Sequence, residues 1–218
     1  MVIIRISILC FFAAIILAGC QNVTPEEKVY RILEESMQKE KTFEQQQEPL
    51  KEMESQESVL FKEIMDAGMK NEKRVSALSR AALSNLQKRK VLMSKEQVSI
   101  LASKREFDKI KDPLSKINNI KRKKEVTELY QTMEERYKIH NHLFDSYKKG
   151  LYLDENVYKM LLNKSLNIDL FEKQIDKTNV AFAVVMKSNE DFNAKTQLFN
   201  NEKQSFYKNA GLNMSQGE

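Results

Sequence analysis

Apolar residues recur at alternating steps of three and four along most of this chain, the period of a helix that buries one stripe. Val29, Leu33, Ser36, Glu40 and Phe43 open the pattern, and Leu50, Met53, Glu57, Leu60, Ile64 and Ala67 continue it. Pro49 falls between the two runs and is expected to kink the helix. A second stripe climbs in steps of seven through Leu86, Met93, Ile100, Phe107 and Leu114, flanked by Ile110 and Ile117, with a further kink expected at Pro113. The third stripe is Val126, Tyr130, Met133, Tyr137, His140, Phe144, Tyr147 and Leu151. It passes Gly150 and continues through Tyr158 to Leu161 and Leu162, so this glycine is read as internal, at a cost of about 1 kcal/mol. The fourth stripe carries two ladders, Ile168, Ile175, Phe182 and Phe171, Thr178, Val185, Phe192, Phe199, Phe206. Ile100, Phe192 and Phe199 are expected in the core.

Turn signals divide these stripes. Thr24-Pro25-Glu26-Glu27 starts a helix, with Thr24 as N-cap, Pro25 in the first turn and Glu27 completing a capping box. Gly68 is a C-terminal stop and Asn71 the next N-cap. Asn118-Asn119 and the cluster Asn163–Asn167 mark the later turns, with Asn167 as N-cap, and Gly211 closes the last helix. The predicted helices are 25–67, 71–117, 121–163 and 168–209, each of about 45 residues or ~65 Å. Near-equal helices on short turns, with sustained seven-residue spacing, give an all-α, elongated antiparallel up-and-down four-helix coiled-coil bundle.

The N-terminal segment adds location. Arg5 is a positive n-region, Ile6–Ile16 an apolar stretch too short for a membrane span, and Leu17-Ala18-Gly19-Cys20 a lipobox. Residues 1–19 are thus expected to be a lipoprotein signal peptide. Residues 20–23 form a lipidated tether with acyl chains on Cys20, 24–209 the bundle, and 210–218 a flexible tail. Stable anchoring takes at least two chains. The expected site is the extracytoplasmic face of the cell membrane.

Composition narrows the function. The 36 Lys+Arg and 31 Asp+Glu lose one base, Arg5, with the signal, so the net charge falls from +5 to +4. That is too mild for a dedicated nucleic-acid binder. Five Gly, three Pro and no Trp are too few turn formers for a many-stranded protein. Of two cysteines, Cys10 lies in the signal and Cys20 at its end, which leaves no disulfide and no free thiol nucleophile.

Catalytic patterns are missing. The histidines, His140 and His142, stand two apart on a helix and face different ways, so they do not chelate one metal together. His140 falls on the apolar stripe and His142 off it. There is no G-x-S-x-G, P-loop, G-x-G-x-x-G or H-E-x-x-H string. No cofactor, metal site or catalytic residue is assigned. The densest basic run is Lys121-Arg122-Lys123-Lys124. It reads as a solvated first turn. In an up-and-down bundle it also returns to the membrane end, where each charge near anionic headgroups contributes about 1 kcal/mol.

Several stretches resemble a known family. They are Leu33-Glu34-Glu35, Phe43-Glu44-Gln45-Gln46-Gln47-Glu48-Pro49-Leu50, Gly68-Met69-Lys70, Met133-Glu134-Glu135-Arg136-Tyr137-Lys138 and Phe206-Tyr207-Lys208-Asn209-Ala210-Gly211-Leu212. The chain is similar, over essentially its whole length, to the YkyA-like cell-wall-binding lipoproteins of low-GC Gram-positive bacteria. The resemblance implies an all-α bundle with a wall-associated role and no catalytic residues. Expected partners are the membrane through the lipid anchor, peptidoglycan or anionic wall polymers, or an envelope protein, and not nucleic acid. The expected function is a membrane-anchored, non-catalytic envelope lipoprotein that binds the wall. Two rivals are a coiled-coil adaptor for a wall enzyme or membrane complex, marked by an apolar patch left outside the core, and an unrecognised hydrolase, marked by a concave pocket with polar residues from several helices.

Overall fold

The computed structural model describes residues 23–68 and 71–212. Six α-helices make four antiparallel arms. The first arm is α1 (Pro25–Lys39) and α2 (Lys41–Ala67); the second is α3 (Glu72–Phe107), a 3-10 turn at Asp108–Ile110, and α4 (Lys111–Lys116). α5 (Ile120–Leu161) and α6 (Ile168–Ala210) are the third and fourth. α1 and α2 pack on α3, α3 on α5, and α5 on α6. The described residues contain no strand, and none of their helices is long and apolar enough to cross a membrane.

The termini are capped as the local chemistry dictates. Thr24 Oγ1 accepts from the Glu27 amide at 3.2 Å while Glu27 Oε2 accepts from the Thr24 amide at 2.8 Å. Asn71, Asn119 and Asn167 each accept from the amide three residues on, at 3.3, 3.0 and 3.0 Å. Gly68 and Gly211 take positive φ, at 63° and 66°, where a side chain would be strained. α5 runs through Gly150, where the ring of Phe182 on α6 stands 3.1 Å from the position a Cβ would take.

Each of the first two predicted helices, 25–67 and 71–117, is interrupted once. α2 runs unbroken through Pro49, and the interruption lies instead at Glu40, between α1 and α2. The cause is a hydroxyl from another helix. In a continuous helix the Phe43 amide would donate to the Lys39 carbonyl. Here Ser99 Oγ stands between them, donating to Lys39 O at 2.5 Å and accepting from Phe43 N at 3.1 Å. A side chain inserted into the backbone ladder is a recognised cause of a break. In the second arm the disturbance precedes Pro113: the helix tightens at Asp108–Ile110, which includes Lys109, the carbonyl that the proline ring crowds four residues back.

Two apolar clusters fill the bundle. One joins Val29, Leu33, Ile100, Phe107, Met133, Phe199 and Phe206 at the end that holds the start of α1, the α4–α5 turn and the end of α6. The other joins Ile64, Val75, Leu86, Leu151, Tyr158 and Phe171 toward the Gly68 and Asn163–Asn167 turns. Ile100, Phe192 and Phe199 are buried, and on α6 the Phe171–Phe206 ladder is the core-facing one, while Ile168 is exposed.

Candidate functional site: a polar waist and its cleft

Between the two apolar clusters the bundle carries charge inside. Glu40, released from the helix by the break, turns its carboxylate onto Arg136 of α5, which donates from Nη1 at 2.9 Å and Nη2 at 2.7 Å. Both side chains are at most 3% exposed. Ser103 Oγ donates to Glu40 Oε1 at 2.8 Å and meets the Tyr137 hydroxyl at 2.8 Å. Arg136 Nε reaches Thr196 Oγ1 at 2.8 Å, and its guanidinium lies 4.5 Å from the centre of the Phe192 ring. One network thus ties α1, α3, α5 and α6 at one level.

A second cluster lies further along. Arg89 of α3 donates from Nε to the Tyr147 hydroxyl at 2.8 Å, and that hydroxyl donates to Glu54 at 2.6 Å. Glu57 accepts from the Tyr158 hydroxyl. Asp154 stands 3.9 Å from Arg89 Nη1, an ion-pair distance too long for a hydrogen bond. Glu96 accepts from Gln47 Nε2 at 2.6 Å. Burial disfavours charge on these acids. It lifts Glu57 to about 7, with Asp154 adding repulsion, Glu96 to about 8, with Glu54 adding, and Asp154 to about 6 against the pull of Arg89. His140, packed edge-on against Phe43 and Phe192, is lowered to about 4 by burial and by nearby Arg136, so it is neutral at pH 7.

The fourth side of the bundle is open at this level. At the α1 end, Tyr207 closes the seam, its ring tilted at 60° against Tyr30 with centroids 4.8 Å apart and its hydroxyl donating to Glu34 at 2.7 Å. Along α2 the seam with α6 opens into a cleft of about 780 Å³ that reaches from Met37 to Glu57 on one wall and from Phe182 to Asn200 on the other. Its charged lining is uneven: Glu40, Glu44, Glu48, Glu54, Glu57 and Glu96 against Lys51, Arg89 and Arg136. The α6 wall adds Asn189, Asn193 and Asn200, with Phe43, Tyr147, Phe182 and Phe192 between. Such a lining offers acceptors to donor groups and faces to apolar ones. No group of three or more His, Cys, Asp or Glu among the described residues is placed to hold a metal.

Comparison with known proteins decides the family. A model described as "YkyA: Putative cell-wall binding lipoprotein" matches residues 24–209, the whole bundle. The chain belongs to the YkyA family. It is 32% identical over 208 residues to "Uncharacterized lipoprotein YkyA" of Bacillus subtilis (strain 168), covering 95% of this chain and 93% of that one. A crystal structure of a conserved protein of unknown function from Staphylococcus aureus has the same fold. It aligns with a TM-score of 0.67 at 16% identity, over 86% of this chain and 98% of that one.

Within this YkyA-family bundle the residues singled out in the sequence scatter. Leu17, Ala18, Gly19 and Cys20 lie outside the described residues. Lys121, Lys123 and Lys124 are exposed in the first turn of α5. Arg122 is not part of a uniform patch: it pairs with Glu125 and donates to the Asn209 carbonyl, clamping the end of α6. Lys124 stands 3.7 Å from Glu128. His140 is buried and His142 exposed. Of the waist residues, Arg89, Glu96 and Asp154 were not singled out, Tyr147 stood only on the third apolar stripe, and Arg136 only in a stretch that carries the family resemblance. Their signal was a polar ladder, Arg89, Glu96 and Ser103, three residues after each of Leu86, Met93 and Ile100.

Proposed function

We propose that this chain is a non-catalytic lipoprotein, anchored by acyl chains on Cys20 at the extracytoplasmic face of the cell membrane, that binds the cell wall. The observation that carries the reading is the family match over residues 24–209, which covers the folded bundle from its first cap to its last helix. The capping box at Thr24 agrees with it, because it starts the rod four residues beyond Cys20. Anchor and rod are then almost contiguous, and the cleft faces the wall side of the membrane.

The test is a fractionation of envelopes. Wild-type protein incorporates radioactive palmitate and stays with the insoluble wall after detergent removes the membrane. Cys20→Ser takes up no label and is lost from the membrane. Equal labelling of both overturns the anchor; complete detergent extraction of wild type overturns wall binding. Wall turnover by wild type that Glu57→Gln abolishes would overturn the non-catalytic reading, since the cleft is the concave polar pocket a hydrolase would need.

A second reading has one observation behind it. Val180 and Val184, one turn apart on the face of α6 turned away from the cleft, are 67% and 43% exposed. An apolar patch of this kind suits an adaptor that docks an envelope protein.

A further inference from the structure

Two buried side chains of opposite type stand on the cleft floor. Arg89 is 3% exposed, and its Nη1 has no hydrogen-bond partner among the described residues. It lacks an acceptor. Glu96 is also 3% exposed, and its carboxylate accepts one hydrogen bond there, from Gln47. No ion pair among the described residues engages it. Both line the cleft, and both stand on α3 seven residues apart. At 1.5 Å per residue that is about 10 Å along the helix. An extended peptide advances about 3.3 Å per residue, so three residues span the interval.

We propose that the cleft between α2 and α6 binds a short extended peptide segment, with a free ammonium on Glu96 and a carboxylate or carbonyl oxygen about three residues away on Arg89 Nη1. The surroundings fit that ligand. The glutamates of the α2 wall favour an ammonium and oppose phosphate-rich polymers. The amides of Asn189 and Asn193 stand on the opposite wall for a peptide backbone, and Phe182 and Phe192 supply apolar faces. The inference rests on the wall-binding reading for the source of the peptide: it assigns to the cleft the peptide part of the wall, not its anionic polymers. Burial and the neighbouring Glu54 keep Glu96 protonated at neutral pH in the empty cleft. An arriving ammonium displaces that proton to solvent.

The probe is trialanine, whose ammonium and carboxylate are about 10 Å apart when extended. Calorimetric titration of the soluble chain from residue 21 is expected to show one site, with a heat that changes with the ionisation heat of the buffer. N-acetyl-trialanine is expected to bind at least tenfold more weakly, and free alanine not to bind at up to about 10 mM, a Kd ceiling that marks no specific site. Glu96→Gln keeps an acceptor for Gln47 and removes the titrating acid; it is expected to lose at least tenfold in affinity and all buffer dependence, with melting unchanged or raised. No binding of trialanine, or binding indifferent to both acetylation and Glu96→Gln, overturns the proposal. Purified wall sacculi separate it from the broader reading. Retention on sacculi without peptide binding overturns the cleft assignment alone. Peptide binding without retention supports the cleft and overturns wall binding.

Discussion

Arg136 grips Glu40 through both terminal nitrogens, at 2.9 and 2.7 Å, in the polar waist of the bundle. The pair joins the first arm to the third and exists because the first helix breaks at Glu40. Fully buried ion pairs are costly to halve, since the survivor keeps its desolvation penalty. Arg136→Met is expected to lower stability by about 3–5 kcal/mol. The double change Glu40→Met with Arg136→Met is expected to lose much less than the sum of the singles, which a denaturant double-mutant cycle measures. Additive losses would mean the two side chains act independently.

The break itself depends on Ser99. Its hydroxyl bridges Lys39 O and Phe43 N. Ser99→Ala removes the bridge and leaves a buried carbonyl and amide to find each other. A loss of about 1–3 kcal/mol is expected, the usual cost of unpairing a buried polar group. Amide hydrogen exchange reads the site directly: Phe43 should exchange faster in the variant, with amides in the middle of α5 unchanged apart from the global loss.

The waist acids set the response to alkali. Asp154, Glu57 and Glu96 sit at about 6, 7 and 8 in the folded chain, above their ordinary values of 3.8, 4.5 and 4.5. The fold therefore holds their protons more tightly than the unfolded chain does, and this contribution is complete only below about pH 4. It is lost progressively above that, each acid's share being gone once pH passes its folded value of about 6, 7 or 8. His140 works at the other end: its folded value of about 4, below the ordinary 6.5, costs stability as pH falls from 6.5 toward 4. Melting temperature is expected to fall from about pH 4.5 to about pH 8, and Glu96→Gln to flatten that fall, most completely between pH 7 and 8. An unchanged slope in Glu96→Gln would remove Glu96 as its cause.

The basic run divides into two roles. Arg122 clamps Asn209, whereas Lys121, Lys123 and Lys124 are exposed. We expect Lys121→Gln, Lys123→Gln and Lys124→Gln together to weaken co-sedimentation of the lipid-free chain with anionic vesicles at low salt, where the Debye length exceeds about 10 Å. Folding should be untouched. Arg122→Gln should loosen the last turn of α6, seen as faster exchange near Asn209. Vesicle binding that is unchanged and salt-insensitive would reduce the three lysines to a solvated helix face.

The fold was legible because its signals are local and repeated. Caps at Thr24, Asn71 and Asn167, stops at Gly68 and Gly211, and ladders such as Phe171 to Phe206 each act within a turn or two. What the sequence did not reveal is long-range. Ser99 breaks a helix nearly sixty residues away, so proline was the only visible reason for a kink, and it pointed to Pro49. The waist was half visible: Glu40 and Glu57 stood on the core stripe, and Arg89, Glu96 and Ser103 made a polar ladder beside an apolar one. Charged residues in core register are read as solvated until a partner is known, and the partners Arg136, Tyr147 and Tyr158 come from α5. The open seam between α2 and α6 has no sequence signature, because both helices carry a full apolar stripe.

Co-sedimentation with purified sacculi measures binding of the bundle to the wall without the lipid anchor. The soluble chain from residue 21 is mixed at rising concentration with sacculi stripped of protein, and the pelleted fraction is measured. Saturable retention is expected, competed by free trialanine and weakened by Glu96→Gln. A chain that stays in the supernatant at every concentration would contradict wall binding.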